Sequence, residues 1–307
     1  MTKLLLLLTY IAFAFAYEPI SPIPLQDNVN IKKAQLGKEL FFDTTLSRDN
    51  STACVSCHNV YEGGADSRVV STGFDNRKGN IQSPTVFNAR YNFRQFWNGR
   101  AKNLLEQADG PLTNPAEHNM DAKAIEDTLN DSKKYKELFE NVYDVSHITY
   151  NLVLDAIVEF ENALTTPNSK FDKFLRDEIK LDNDEHEGYK IFKQYGCITC
   201  HNGLNVGGNS FQKMGTFIRY ESALVHPDRS HLTNKKSHVN VFKVPTLRNI
   251  TLTAPYFHDG SAKNIKDAIK TMTKYNLGIS IKDAEIEKII KFLHTLEGER
   301  PKILDIK

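Results

Sequence analysis

The sequence predicts a mainly α-helical protein of two similar halves, with long loops and little strand. Apolar residues recur at helical spacing in several segments, and one short cysteine–histidine pattern occurs twice, each time after such a segment. With 307 residues, 40% of them hydrophobic and 25% charged, the chain has a globular composition and is long enough for two domains.

The predicted helices are identified by apolar faces at a spacing of three and four residues. The residues of these faces are Ala34, Gly37 and Phe41 before the first motif, Val153, Ile157, Phe160 and Leu164 after it, Gly188, Ile191, Phe192 and Tyr195 before the second motif, and Ile286, Ile289, Ile290, Leu293 and Leu296 near the end. The pattern breaks at residues 165–169, Thr-Thr-Pro-Asn-Ser, which are typical of a turn. We therefore expect domains at residues 17–165 and 166–307.

Residues 1–16 differ from the rest of the chain. Lys3 precedes an apolar run that ends in Ala-Phe-Ala, and this order is typical of a cleaved secretory signal. The run has about 13 residues, whereas a membrane span needs roughly 20. We expect export to the periplasm and no membrane span after cleavage. A formal net charge of +1, with no dense basic block, argues against a nucleic-acid partner.

The repeated motif is Cys-x-x-Cys-His, and its two copies contain all four cysteines. Cys54, Cys57 and His58 form the first copy, and Cys197, Cys200 and His201 form the second. This spacing is the attachment signal of c-type haem, in which the thiols bond to the vinyl groups and the histidine binds the iron. A redox-active Cys-x-x-Cys needs no histidine, and zinc would lack a fourth ligand at each copy. Spacing alone leaves two disulfides between the copies open.

The motifs and the helices together indicate a known type of domain. A helix, a haem motif, a long wrapping segment and a closing helix form a small cytochrome c domain, and this order occurs in both halves. The predicted fold is therefore two cytochrome c-like domains, each wrapped around one covalent haem. Loops should be abundant, because the haem provides much of the core.

The chain resembles the bacterial dihaem cytochrome c peroxidases from about residue 36 to residue 296. The segments that carry the resemblance are residues 83–88 (SPTVFN), 96–100 (FWNGR), 106–108 (EQA), 110–112 (GPL), 244–249 (VPTLRN) and 255–260 (PYFHDG). Their order and spacing match the family. The resemblance implies that the N-terminal haem reduces hydrogen peroxide and that the C-terminal haem supplies electrons at a higher potential.

The resemblance also implies the axial and distal groups. Met272 matches the second ligand of the C-terminal iron, where a thioether raises the potential; core packing and nearby Met214 are the competing interpretations. Glu117 and Gln107 match the distal pair above the N-terminal iron, where the carboxylate moves a proton between the peroxide oxygens and the amide holds the peroxide. By itself, Glu117 would be read as a surface acid.

Two aromatic side chains match further positions of the family. The resemblance places Trp97, the only tryptophan, between the haems, where it would shorten the path of the electron. His258 is expected to support a haem propionate or the methionine loop rather than to bind iron.

One position departs from the family. Many members have a histidine after the first motif that closes the resting peroxidatic iron, and here that position is Phe74. Phenylalanine has no lone pair, so we expect an N-terminal haem that is open without reductive activation. The alternative is that His118 swings in as a substitute ligand.

The remaining expectations concern calcium and partners. The family's calcium position corresponds to Gln82, Thr253 and Pro255, with glutamine where asparagine is usual, which puts the site in doubt. The resemblance suggests a homodimer and a small soluble electron donor, either a monohaem cytochrome c or a cupredoxin. The alternative functions are a dihaem enzyme that oxidises a protein-bound substrate, which would have tyrosine at the Met272 position, and a non-enzymatic dihaem electron carrier or redox sensor.

Overall fold

The computed structural model describes residues 18–25, 28–222 and 224–306, so the predicted signal segment lies outside the described residues. The α-helices are α1 (Ile31–Phe42), α2 (Leu104–Thr113), α3 (Ala122–Asp131), α4 (Lys133–Tyr143), α5 (Tyr150–Ala163), α6 (Lys170–Leu175), α7 (Asn183–Gln194), α8 (Ser230–Thr233), α9 (Ile265–Met272) and α10 (Asp283–His294). In the described chain, β1 (Phe211–Lys213) and β2 (Val241–Lys243) form one antiparallel ribbon. The predicted mainly helical fold is confirmed.

Each half is built on a crossing of two helices at a glycine. On α1, a Cβ added at Gly37 would lie 1.9 Å from the carbonyl oxygen of Ala156 in α5. On α7, a Cβ at Gly188 would lie 2.0 Å from the carbonyl oxygen of Lys288 in α10. Only glycine permits backbones to approach this closely. The helix before each haem motif therefore packs directly on the closing helix of its half.

The turns after the motifs are also duplicated. Asn88 and Asn249 both have a left-handed backbone, with φ of 59° and 58°, and both donate their side-chain amides to the Thr166 hydroxyl, at 2.7 and 2.8 Å. Phe96 and Phe257 both have positive φ, 65° and 72°. The separation along the chain is the same for both pairs, so residues 82–104 and 243–265 are two copies of one backbone pattern.

Separate apolar clusters form the cores of the halves. One contains residues of α1, α3, α4 and α5, and another contains residues of α6, α7 and α10. A buried ion pair between Asp172 on α6 and Arg248 secures the second half. Within the described ranges, no helix is both long and apolar enough to cross a membrane.

Candidate functional site

The first haem motif begins in a tight turn, Cys54–Ser56, packed on the core near α1 and α5. The Nδ1 of His58 lies 3.4 Å from the carbonyl oxygen of Gly64, and the carbonyl of Pro84 is also beside the ring. Burial lowers the pKa of His58, so the imidazole is neutral at neutral pH. With Nδ1 facing carbonyl oxygens, the lone pair of Nε2 is available to a metal.

The second motif repeats this arrangement in the turn Cys197–Thr199. The carbonyls of Val206 and Pro245 lie near the His201 ring, although its buried Nδ1 makes no hydrogen bond within the described residues. Burial lowers the pKa of this histidine to about 4. Pro245 occupies the same position in its copy of the backbone pattern as Pro84 does in the first. Each half therefore orients its motif histidine against the same turn.

The donor set fits c-type haem. None of the four cysteines is in a disulfide, all are partly buried, and burial raises the pKa of Cys197 to about 11. Two thiols followed by a buried imidazole are the groups that attach to haem vinyls and bind its iron. In the described ranges, no three histidine, cysteine, aspartate or glutamate residues are placed to hold a metal ion by themselves. Cys54 and Cys57 would hold one haem, and Cys197 and Cys200 would hold the other. His58 and His201 would bind the iron of the haem at their own motif.

Glu117 lies near the first motif: burial raises the pKa of both Cys54 and Cys57, and the negative charge of Glu117 adds to the rise. Burial raises the pKa of Glu117 itself, while a 2.6 Å hydrogen bond from the side-chain amide of Asn114 and the positive charge of Arg100 oppose the rise. Glu117 is thus a half-buried acid with a raised pKa rather than a fully solvated one. Gln107 is half-buried on α2, the helix that leads into this turn.

The loop that carries Phe74 is attached to the Glu117 turn. The backbone amide of Phe74 donates to the carbonyl oxygen of Glu117 at 2.7 Å, and a Cβ at Gly73 would lie 2.3 Å from the carbonyl oxygen of Ala116. The guanidinium of Arg77 lies 5.3 Å from the Phe74 ring centroid. The residue that replaces the family's closing histidine is therefore held against the backbone that positions the acid.

His118 points to a different partner. Its side chain is only 3% exposed, and its Nδ1 lies 3.0 Å from the carbonyl oxygen of Leu46. Burial lowers the pKa of His118. To bind the iron of a haem at the first motif, this ring would have to break its contact with Leu46 and leave its buried position.

Trp97 joins the two halves. Its Nε1 donates to the carbonyl oxygen of Gln82 at 2.8 Å, and its ring lies 6.1 Å from the His258 ring and 6.5 Å from the Phe242 ring, edge to face. Trp97 and His258 are equivalent positions of the duplicated pattern, each following a phenylalanine with positive φ. His258 is buried, and its Nε2 has no hydrogen-bond partner among the described residues.

Met272 and Met214 occur in one apolar cluster, with Trp97 at its edge. Met272 is the last residue of α9, and a cavity of about 820 Å³ lined partly by Met214 lies beside the cluster. The duplicated pattern distinguishes the two methionines, because α9, which ends at Met272, is the equivalent of α2, the helix that leads to Glu117.

The three residues of the expected calcium site lie in neighbouring loops. The side-chain amide of Gln82 donates to the carbonyl oxygen of Asp66 at 3.2 Å, and Gln82 and Thr253 are both buried. Pro255 lies two residues beyond Thr253. The amide of Gln82 is thus engaged with the protein through its nitrogen, which leaves its oxygen as the atom for a cation.

Comparisons with known proteins agree with this arrangement. The family described as Di-haem cytochrome c peroxidase matches residues 31–180, and the family described as Cytochrome c matches residues 186–297. The cytochrome c551 peroxidase of Nitrosomonas europaea is 45% identical over 93% of this chain and 86% of that relative. The chain belongs to the dihaem cytochrome c peroxidase family. The resemblance drawn from its motifs is confirmed, and so are its enzyme class and its two c-type haems.

Other similar proteins cover most of the chain as well. The cytochrome c551 peroxidase of Pseudomonas aeruginosa is 39% identical, over 92% of this chain and 85% of that protein. The crystal structure of a MauG-like protein associated with microbial copper homeostasis has a TM-score of 0.81 at 23% identity, covering 92% of this chain and 94% of that one. This structural similarity shows that the two proteins share a fold.

Two groups near the second site carry no local signal in the sequence. His226 is half-buried, its ring centroid lies 4.1 Å from that of His258, and its Nδ1 atom is buried without a hydrogen-bond partner in the described chain. Lys243 was not singled out and is only 6% exposed. The duplicated pattern could have identified Lys243, because it stands at the position equivalent to Gln82.

Proposed function

We propose that this peroxidase reduces hydrogen peroxide to two waters at the first motif, with electrons that enter at the second. The observation that carries the proposal is the half-buried acid Glu117 beside the first motif, whose pKa is raised by burial, with no histidine in the loop tied to it. A haem at each motif supplies an iron that binds peroxide or stores an electron. The overall reaction consumes one peroxide, two electrons and two protons and releases two waters.

Glu117 is proposed to move the proton. As a half-buried carboxyl with a raised pKa, it can accept a proton from the near oxygen of peroxide and return it to the far oxygen, which then leaves as water. The hydrogen bond from Asn114 to Oε1 holds the carboxyl in one orientation and leaves Oε2 for the substrate. Gln107, on the helix that precedes this turn, is proposed to hold the peroxide by hydrogen bonding.

Two contacts support the proposed open state of the first site. Phe74 has no donor atom, and its backbone hydrogen bond to Glu117 fixes the loop where a closing histidine would stand. His118, the alternative ligand, is held by its contact with the Leu46 carbonyl. The oxidised protein is therefore proposed to accept peroxide without prior reduction, although turnover still consumes electrons.

Met272 is proposed as the second ligand of the C-terminal iron, since sulfur favours the reduced metal. Trp97, hydrogen-bonded to one half and packed on the other, is proposed as the route between the sites. His258 is proposed to support a haem propionate or the methionine loop. The donor is proposed to be a small soluble protein, a monohaem cytochrome c or a cupredoxin, that meets a homodimer in the periplasm after export.

The proposed calcium site joins Gln82 to Thr253 and Pro255 through oxygen ligands. Metal analysis of purified protein, before and after treatment with a calcium chelator, tests it. We expect one calcium per chain, and none at either stage would contradict the site.

The decisive experiment compares the wild type with Glu117→Gln. Because a general acid–base group contributes about 10²–10⁴-fold, we expect kcat/KM for peroxide to fall by that factor. Glu106→Gln is the matched control, because Glu106 is an exposed glutamate on α2. Loss of the same size in both variants, or in neither, would contradict the role of Glu117. A fully oxidised protein whose N-terminal haem is entirely low-spin with two histidines would contradict the open site.

A second candidate is oxidation of a protein-bound substrate. Phe74 favours it, because that chemistry also needs an open site, while methionine at position 272 in place of tyrosine argues against it. Inactivity with every small reduced donor, together with turnover of a protein substrate, would establish this candidate instead.

A further inference from the structure

Lys243 is a buried cation without an acidic partner. Lys243 is the last residue of β2 and is only 6% exposed. No carboxylate of the described chain pairs with its ammonium group. Burial lowers the pKa of Lys243 to about 8. An unpaired charge in a protein interior costs several kcal/mol, so such a group calls for an anion. The described side chains do not provide one.

The position of Lys243 indicates where that anion comes from. Its backbone amide donates to the carbonyl oxygen of Trp97 at 2.7 Å. The next residues are hydrogen-bonded to the loop after the second motif. The carbonyl oxygen of Val244 accepts from the backbone amide of Gly208 at 2.8 Å, and the backbone amide of Leu247 donates to the carbonyl oxygen of Val206 at 3.2 Å. Lys243 therefore lies between Trp97 and the loop that holds His201.

The first half has a neutral residue at the same position. Gln82 is equivalent to Lys243, and its backbone amide donates to the carbonyl oxygen of His258 at 2.8 Å, as that of Lys243 does to Trp97. The Gln82 side chain finds its partner in the Asp66 carbonyl. The duplicated backbone thus carries an amide at this position in the first half and an ammonium group at the equivalent position in the second.

We propose that Lys243 pairs with a propionate of the haem at the second motif. As a fixed positive charge, it raises the reduction potential of that haem above the potential of the haem at the first motif. A propionate is the anion that a haem brings into the interior. Reduction adds an electron, which a nearby positive charge stabilises more strongly in a low-dielectric interior than in water. The inference rests on the proposed roles of the two haems, and it assigns part of the difference between their reduction potentials to one side chain.

The test is a redox titration of the intact dihaem protein, with the two haems followed by their visible spectra. Lys243→Gln gives the second half the residue of the first. We expect the ratio of reduced to oxidised C-terminal haem, at a fixed potential, to fall about tenfold, or 59 mV for one electron. The N-terminal haem should not change, and Lys243→Arg, which keeps the charge, should titrate like the wild type.

Lys213→Gln is the matched control, because Lys213 is exposed on the other strand of the same ribbon. It should leave both haems unchanged. An unchanged C-terminal haem in Lys243→Gln, or an equal shift of both haems, would overturn the proposal. If this variant does not incorporate haem, the propionate bending bands in resonance Raman spectra of the wild type and Lys243→Arg decide, and identical bands refute the pairing. The titration contains no peroxide, so its outcome is separate from that of Glu117→Gln.

Discussion

The buried ion pair between Asp172 and Arg248 allows a quantitative test of the second half. Their Oδ1 and Nη1 atoms lie 2.9 Å apart, and both side chains are 0% exposed. The Asp172 carboxylate also accepts backbone hydrogen bonds from Ile23 at 3.3 Å and Ser169 at 3.2 Å. The variant Asp172→Ala therefore removes one charge and two hydrogen bonds and leaves a guanidinium group buried.

Breaking a buried ion pair by removing one partner costs about 3–5 kcal/mol. Each lost hydrogen bond to the backbone adds about 1 kcal/mol. The sum is about 5–7 kcal/mol. Since Arg248 keeps its bonds to the carbonyls of Leu204 and Ser21, at 2.7 and 2.9 Å, we place the expected loss at the lower end of this range, at about 5 kcal/mol. That is a large part of the roughly 5–15 kcal/mol that stabilises a typical domain.

The measurement is urea unfolding of the dihaem protein, followed by circular dichroism at 222 nm, with the midpoint and slope of each transition compared. The matched control is Asp127→Ala, which removes an aspartate from an exposed i,i+4 pair with Lys123 on α3. Exposed helix pairs of this kind contribute roughly 0.3–0.5 kcal/mol. A loss below about 1 kcal/mol in Asp172→Ala, or a loss equal to the control's, would refute the reasoning.

Two further variants test the first half. Phe74→His places an imidazole in the loop attached to Glu117, so the oxidised protein should become low-spin at the N-terminal haem and acquire a lag in peroxide turnover that prior reduction removes; unchanged spectra would mean that the loop does not reach the iron. Glu161 is fully buried on α5, and burial raises its pKa from 4.5 to about 8. Its protonated form therefore favours folding below its unfolded pKa, and this contribution is lost as the pH rises through 8. Glu161→Gln should match the wild type in stability near pH 5 and exceed it by up to about 4 kcal/mol near pH 8; parallel pH profiles of the two proteins would contradict this.

The helices and the haem motifs could be predicted because their signals are local. The face of α7 that contains Gly188 and Phe192 is visible as a spacing of four residues, and the two Cys-x-x-Cys-His motifs need no structural context. The structure adds why a glycine stands on that face, since the backbone of α10 touches it.

The features that the sequence did not predict depend on contacts between distant segments. The strands β1 and β2 have three residues each, too few for an alternating pattern to be recognised. Lys243 was not considered because lysine is usually exposed. The loop of Phe74 was identified by its missing histidine, but its hydrogen bond to the backbone of Glu117 required the fold.

The duplicated backbone explains how one chain obtains two unlike sites. Residues 82–104 and 243–265 share their turns, their left-handed asparagines and their asparagine-capped helices, so the scaffold around both motifs is the same. The differences are in the side chains: Trp97 in one copy is His258 in the other, and Gln82 is Lys243. After the two duplicated segments the chain differs: α2 leads to Glu117, whereas α9 ends at Met272. Since the backbone is common, substitutions at equivalent positions, rather than exchanges of whole loops, are the direct way to make one site resemble the other.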